Sequence, residues 1–192
     1  MNEALLLILN TLFGLFTYAF LLRFLMQWQR APFRNAIGQA VAALTDWAVK
    51  PLRRVLPGFK GQDTSTLVLS WAAQFLWLIA TSLVVNRAFP GASVLLALAL
   101  IAPIELFKAF LWILIVTVII QAVLSWFGPD GPLAGFLNAM TFRFLAPIRR
   151  LIPPIGGTLD LSPLVLIVLI QLVLMVPVPW VEGAVLSLFR GP

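Results

Sequence analysis

The sequence contains no cysteine and no histidine, and only 10% of its 192 residues are charged. Without cysteine it can form neither disulfides nor thiolate metal sites, and without histidine it cannot build a Ser-His-Asp triad or a histidine-ligated haem. No P-loop, dinucleotide-binding fingerprint or metalloprotease motif is present either. We therefore expect no metal and no other cofactor, and we predict that the chain is not an enzyme.

Hydrophobic residues, in contrast, make up 61% of the chain, and its mean hydropathy is +1.03. In soluble domains roughly a quarter of the residues are charged. A chain with this many apolar residues therefore needs the lipid bilayer as its solvent. The sequence predicts an all-α membrane protein with about four transmembrane helices. These are expected at residues 4–26, 65–85, 104–126 and 164–176, the last with an extension towards residue 189.

A basic stretch framed by prolines occurs twice, at a constant offset of 96 residues. The first copy reads P-L-R-R-V-L-P, from Pro51 to Pro57, and the second reads P-I-R-R-L-I-P, from Pro147 to Pro153. Each copy lies between two apolar runs, so the chain consists of two tandem repeats. We assign residues 1–90 to the first repeat, 91–103 to a connecting apolar segment and 104–192 to the second repeat.

The segments around the spans predict further helices. An amphipathic segment precedes each basic stretch, which indicates a helix lying in the membrane interface. The first of these is expected to end before Pro51, because a proline disfavours helical geometry in the residue before it. The apolar run from Val94 to Phe127 is too long for one simple span, and Pro103 interrupts it. We therefore predict a separate short helix, re-entrant or interfacial, at residues 93–102.

The distribution of basic residues predicts the orientation. Nine of the 13 Lys and Arg residues lie in the two loops that contain the basic stretches. The positive-inside rule places both loops in the cytoplasm, so an even number of spans separates them. Four spans in parallel repeats satisfy this condition, and the protein is then a multi-pass membrane protein. A five-span arrangement with one basic stretch outside is the alternative.

The chain resembles the bacterial YggT family, which is called YlmG in other lineages. The resemblance rests on P-I-R-R-L-I-P-P-I-G-G at residues 147–157, D-x-S-P at 160–163 and L-L-R-x-x-x-x-W at 21–28. It covers nearly the whole chain as two tandem YGGT repeats. There is one extra residue between Gly157 and Asp160, and the first repeat has G-F-K-G in place of P-I-G-G.

The resemblance implies a small, multi-pass protein of the bacterial inner membrane and supplies no catalytic residue. Bacterial members of the family are linked to osmotic stress, potassium homeostasis and cell division, and plastid relatives to cytochrome cofactor assembly and nucleoid distribution. If the motif binds a ligand, its second copy is the better candidate, because the first lacks the complete turn.

The arginine pairs are the first candidate functional residues. Arginines beside a span can simply fix topology. They can also dock anionic lipid head groups or a protein partner, and the rigid proline frame favours this second interpretation because topology needs charge alone. The lipid-binding or partner-binding candidates are Arg53, Arg54, Arg149, Arg150, Pro147 and Pro153.

Polar residues beside and inside the spans form a second group of candidates. Asp63, Asp160 and Ser162 are expected to cap helices, with ion binding as the alternative for the aspartates. Glu105 and Lys108 can pair at i,i+3, and glutamines inside spans are expected to hydrogen-bond across helices or to line a polar path. The intramembrane candidates are Arg23, Gln74, Glu105, Lys108, Gln121 and Gln171, where Gln121 occupies the position equivalent to Arg23.

These features together favour an accessory or scaffold protein. It would dock anionic lipid head groups or membrane-protein partners on its paired basic loops and support envelope or osmotic-stress homeostasis. The alternatives are a homo-oligomeric channel or transporter component for ion or potassium balance, and an assembly factor for a membrane redox or division complex. We expect no nucleic-acid partner, because the basic residues are few and lie beside bilayer segments.

Overall fold

The computed structural model describes residues 2–56, 58, 62–127, 131–153 and 160–189. Pro57, Lys60 and the P-I-G-G turn at 154–157 lie outside the described residues. The described residues form seven helices: α1 (Asn2–Trp28), α2 (Ala36–Val55), α3 (Thr64–Asn86), α4 (Ala92–Phe127), α5 (Pro132–Leu151), α6 (Ser162–Met175) and α7 (Pro177–Ser187).

Four helical segments among the described residues are long and apolar enough to cross a membrane, as the sequence predicted. The last comprises α6 and α7, which are separated at Val176 because Pro177 has no backbone N–H and begins a new helix. The segments are Glu3–Trp28, Thr64–Asn86, Ala92–Ser125 and Ser162–Ser187.

Helix α4 is continuous over 36 residues, so the prediction of a separate short helix at residues 93–102 is wrong. Pro103 cannot donate a hydrogen bond to the carbonyl of Ala99, four residues earlier. The indole N–H of Trp71 on α3 donates to that carbonyl oxygen instead, at 3.3 Å. The helix continues through Pro103 because a neighbouring helix satisfies the freed carbonyl, as is common in membrane proteins.

Helices α2 and α5 also continue through internal prolines, Pro51 and Pro147. The prediction that α2 ends before Pro51 is therefore wrong, and both arginine pairs lie in the last turn of a helix rather than in a loop. Both prolines are exposed, as are Trp47 and Arg143, whose carbonyls lose their usual donors. An exposed carbonyl can be hydrated, and arginines in a last turn interact favourably with the helix dipole.

Helix α4 lies at the centre of the fold and contacts α1, α3, α5, α6 and α7. Its Leu106 and Ala109 belong to a buried cluster with Leu25 of α1 and Met140 of α5. Further along α4, a second cluster packs against α5 and α6, and includes Leu114, Val118, Leu145 and Ile170. The two repeats therefore share one core instead of forming separate bundles.

Candidate functional site

The two copies of the basic stretch make the same ion pair. Arg53 Nε donates to Asp63 Oδ2 at 2.9 Å, and Arg149 Nε donates to Asp160 Oδ2 at 2.8 Å. In each repeat the first arginine lies at the end of one helix, and the aspartate lies just before the next helix. The ion pair therefore closes the connection between α2 and α3 in the first repeat and between α5 and α6 in the second.

The second arginine of each pair is placed differently. Arg54 and Arg150 are exposed, and neither makes an ion pair with any residue that the structure describes. The apolar side chains that follow them are exposed as well, with Val55 at 75% and Leu151 at 83%. Each motif thus presents a cation without a carboxylate partner next to exposed apolar surface.

Both aspartates form an ion pair at the start of a helix, but only Asp160 also accepts a backbone N–H there. Asp63 occupies the N-cap position of α3, but its side chain makes no cap hydrogen bond. Asp160 Oδ1 accepts the backbone N–H of Ser162 at 2.9 Å, so its carboxylate serves both the helix start and Arg149. Burial opposes the charged form of Asp160, but hydrogen bonds from Ser162 and Arg149 outweigh it and lower the pKa of this carboxyl.

Ser162 is the first residue of α6, and Leu161 holds the N-cap position. The prediction that Ser162 caps this helix is therefore wrong by one residue. At this helix start the Asp160 carboxylate accepts the N–H of Ser162, so the aspartate and not the serine supplies the side-chain acceptor.

Arg23 joins α1 to α2 in the first repeat. Its guanidinium is buried, and Nη1 donates to Thr45 Oγ1 at 2.6 Å and to Asp46 Oδ1 at 2.7 Å. Lys50 reaches the other Asp46 oxygen, Oδ2, at 2.7 Å. The hydrogen bonds from Lys50 and Arg23 lower the pKa of Asp46. Arg23 is thus held against α2 as an ion pair.

The second repeat keeps this contact in a neutral form. Thr141 Oγ1 on α5 donates to Gln121 Oε1 on α4 at 2.5 Å, and Thr141 corresponds to Thr45 at the same offset of 96 residues. Phe142 takes the place of Asp46. The carboxylate and the arginine are therefore replaced together, which leaves no unpaired charge at this position.

Lys108 on α4 is held by two carboxylates. Its Nζ lies 2.7 Å from Glu105 Oε1, one turn earlier on α4, and 2.7 Å from Glu182 Oε1 on α7. The sequence predicted the Glu105–Lys108 pair but not Glu182, because no spacing rule connects residues 74 positions apart. A carboxylate inside an otherwise apolar run was the only sequence signal for Glu182.

The three intramembrane glutamines have different surroundings. Gln121 bonds across helices to Thr141. Gln171 on α6 is half-buried. Gln74 on α3 is only 9% exposed, and it lines a polar cavity of about 220 Å³ between α1, α3 and α4. Glu105 and Lys108 lie in the wall of the same cavity, so the tertiary fold groups three of the predicted intramembrane residues.

A larger groove of about 510 Å³ between the same three helices has almost wholly apolar walls, which include Trp28, Leu67 and Phe110. Gln27 Nε2 donates to Asp63 Oδ2 at 3.4 Å. Trp28 is the residue after Gln27, and Leu67 lies one turn after Asp63. The groove therefore begins beside the Arg53–Asp63 ion pair.

One protein-family model matches this chain twice, over two tandem segments. The family model described as CCB3/YggT matches residues 2–84 and 100–181. The second match begins inside α4, so the first two turns of that helix precede the matched segment. This accounts for the unusual length of α4, which joins a connecting segment to the first helix of the second repeat.

Relatives from three bacteria match over most of their length. A Pseudomonas aeruginosa protein named as uncharacterized is 36% identical over 177 residues, which cover 90% of this chain and 87% of the relative. The uncharacterized protein YggT of Escherichia coli K12 is 33% identical over 167 residues, which cover 86% of this chain and 85% of the relative. An uncharacterized Vibrio alginolyticus protein from the proC 3′ region is 33% identical over 167 residues, which cover 85% of this chain and 88% of the relative.

None of these relatives' names states an activity, and no solved structure matches the chain. The family match covers both repeats of the sequence, including both arginine–aspartate pairs. The chain belongs to the CCB3/YggT family.

Proposed function

We propose that this protein is a non-enzymatic accessory protein of the bacterial inner membrane that binds anionic lipid head groups through Arg54 and Arg150. One observation carries the proposal. In both repeats an aspartate pairs with the first arginine of the motif, whereas the second is exposed and makes no ion pair with the described residues. A motif that served topology alone would need the charges but not this fixed division of roles.

The surroundings of the two arginines suit a lipid surface. An exposed arginine beside exposed Val55 or Leu151 can bind a phosphate while the apolar side chains enter the acyl region. Basic residues near an anionic leaflet contribute about 1 kcal/mol each. The positive-inside rule supports a cytoplasmic position for both arginines, and the cytoplasmic leaflet is the anionic one.

The apolar groove supports the same interpretation for the first repeat. It begins beside the Arg53–Asp63 pair, and its walls are formed by Trp28, Leu67 and Phe110. An acyl chain in this groove would place its phosphate close to the end of α2. Paired lipid sites of this kind would let the protein organise its membrane surroundings or position a partner.

The test compares the stabilisation of detergent-solubilised protein by phosphatidylglycerol and by phosphatidylcholine. A ligand that binds only the folded state raises its thermal stability. We expect phosphatidylglycerol to stabilise the wild type more. The Arg54→Gln/Arg150→Gln variant should bind it roughly fivefold more weakly at each of the two sites, from about 1 kcal/mol for each arginine.

The matched control is Arg34→Gln/Arg87→Gln, which removes the same charge from two exposed arginines outside the motif. This control should retain nearly full stabilisation by phosphatidylglycerol. Equal losses in both double variants would mean that net charge, and not the motif, attracts the lipid. Equal stabilisation of the wild type by both lipids would contradict the proposal outright.

A further inference from the structure

The polar cavity between α1, α3 and α4 contains a buried hydroxyl that the fold does not use. Thr17 on α1 is 2% exposed, and its Oγ1 has no hydrogen-bond partner among the described residues. The Gln74 amide lies in the wall of the same cavity. A buried hydroxyl without a partner costs free energy, so Thr17 offers an unused hydrogen-bonding group to a polar ligand in this cavity.

The charge at this cavity is unbalanced. Glu105 and Glu182 both pair with Lys108, so two carboxylates share one ammonium and the cluster has a formal excess of one negative charge. Excess negative charge inside membrane-spanning helices is costly. Glu105 and Lys108 both lie in the cavity wall, and Glu182 reaches Lys108 from α7, so a ligand with a positive charge would balance the excess of this cluster.

The rest of the wall indicates which kind of cation. Tyr18, Trp77 and Trp112 contribute aromatic side chains, and aromatic rings attract organic ammonium groups through cation–π interactions. The volume of about 220 Å³ far exceeds the roughly 30 Å³ that one water occupies in the liquid. A bare Ca²⁺ or Mg²⁺ ion would need about six or more oxygen ligands, whereas half of this wall is aromatic or aliphatic.

We propose that this cavity binds a small organic ammonium ion, with Glu105 as the counter-ion and the three aromatic side chains around the ammonium group. Thr17 and Gln74 would accept or donate hydrogen bonds to a polar substituent of the same ligand. The site is formed by α1, α3 and the middle of α4, and it does not depend on the lipid-binding arginines.

The test measures equilibrium binding of radiolabelled choline to the purified full-length protein. Its neutral isostere 3,3-dimethylbutan-1-ol, potassium chloride and sodium chloride serve as competitors. We expect saturable binding that unlabelled choline displaces and that the isostere and the two salts do not. Glu105→Gln and Trp112→Leu should each weaken binding by about tenfold, the size of a buried charge or cation–π contact.

Matched controls separate binding from folding. Glu3→Gln removes an exposed carboxylate elsewhere on α1, and Trp180→Leu removes a tryptophan that is 75% exposed; both should bind choline as the wild type does. Thr17→Val deletes the unpartnered hydroxyl without changing the shape of the side chain. It should therefore weaken binding while leaving thermal stability intact.

Absence of saturable choline binding would overturn the proposal, as would equal binding of the neutral isostere. Displacement by potassium or sodium at equal concentration would assign the site to an inorganic cation instead. Should Glu105→Gln fail to fold, Trp112→Leu and Thr17→Val decide the result, and unchanged affinity in both would refute the site.

Discussion

The indole N–H of Trp71 on α3 donates to the carbonyl oxygen of Ala99 on α4, at 3.3 Å. Ala99 lies four residues before Pro103, so its carbonyl is the one that the proline leaves without a donor. This contact connects two spans and keeps α4 continuous. It also accounts for a tryptophan within a span, away from the membrane interface where tryptophans are usually found.

Replacing Trp71 by phenylalanine should destabilise the protein by about 1–2 kcal/mol, the cost of an unpaired buried carbonyl. Phenylalanine keeps an aromatic ring to stack on Phe75, whose centroid lies 5.2 Å from that of Trp71. The free energy of unfolding in SDS measures the effect. In a Pro103→Ala background the helix satisfies Ala99 itself, so the same substitution should cost much less. An equal cost in both backgrounds would show that the hydrogen bond is unimportant.

The Arg53–Asp63 pair should respond asymmetrically to substitution. Asp63 is 6% exposed, whereas the Arg53 side chain is 41% exposed. Arg53→Gln leaves a buried carboxylate unpaired and should cost about 3 kcal/mol. Asp63→Asn leaves an arginine that can turn to water and should cost about 1 kcal/mol or less. Thermal denaturation in detergent measures both variants.

The neighbouring Arg54→Gln serves as the control for this comparison, because Arg54 makes no ion pair with the described residues. This substitution loses only the interaction with the helix dipole and should cost about 1 kcal/mol or less. A larger cost for Asp63→Asn than for Arg53→Gln would contradict the asymmetry. It would mean that the exposed arginine, and not the buried aspartate, depends on the pair.

Arg23 should tolerate glutamine better than methionine. Gln121 already makes the equivalent contact with Thr141 in the second repeat, so Arg23→Gln can keep a hydrogen bond to Thr45. Arg23→Met cannot, and should lower the free energy of unfolding by about 1–2 kcal/mol more. Asp46 loses Arg23 in both variants but keeps Lys50, so the difference isolates the threonine contact. Indistinguishable stabilities would exclude a role for this hydrogen bond.

Acidification should weaken the connection between α5 and α6. The pKa of Asp160 is lowered in the folded state, so its ionised form contributes stability above its unfolded pKa of about 3.9. That contribution is lost as the pH falls through about 4 and towards the lower folded pKa. Asp160→Asn should reduce the drop in melting temperature between pH 6 and pH 3, values chosen to bracket about 3.9. An unchanged drop would show that Asp160 does not contribute.

Two features were predicted from residue pattern alone. The apolar runs determine the four spans, because only a helix satisfies its own backbone in lipid. The offset of 96 residues between the basic stretches reveals the repeat. Local patterns could not reveal that α4 continues through Pro103, because that depends on a donor from Trp71 at a distance of 28 residues along the chain. The same limit hid the continuation of α2 through Pro51, which depends on the exposure of that helix face.

The sequence by itself determined the membrane environment, the duplication and the identity of the candidate charges, since these follow from composition and spacing. Only the tertiary structure decided which of those charges form ion pairs and which stay exposed. It paired Arg53 with Asp63 and Arg149 with Asp160, left Arg54 and Arg150 exposed and brought Glu182 to Lys108. The physical reason is that an ion pair depends on distances of a few ångströms between helices, which a linear sequence does not encode locally.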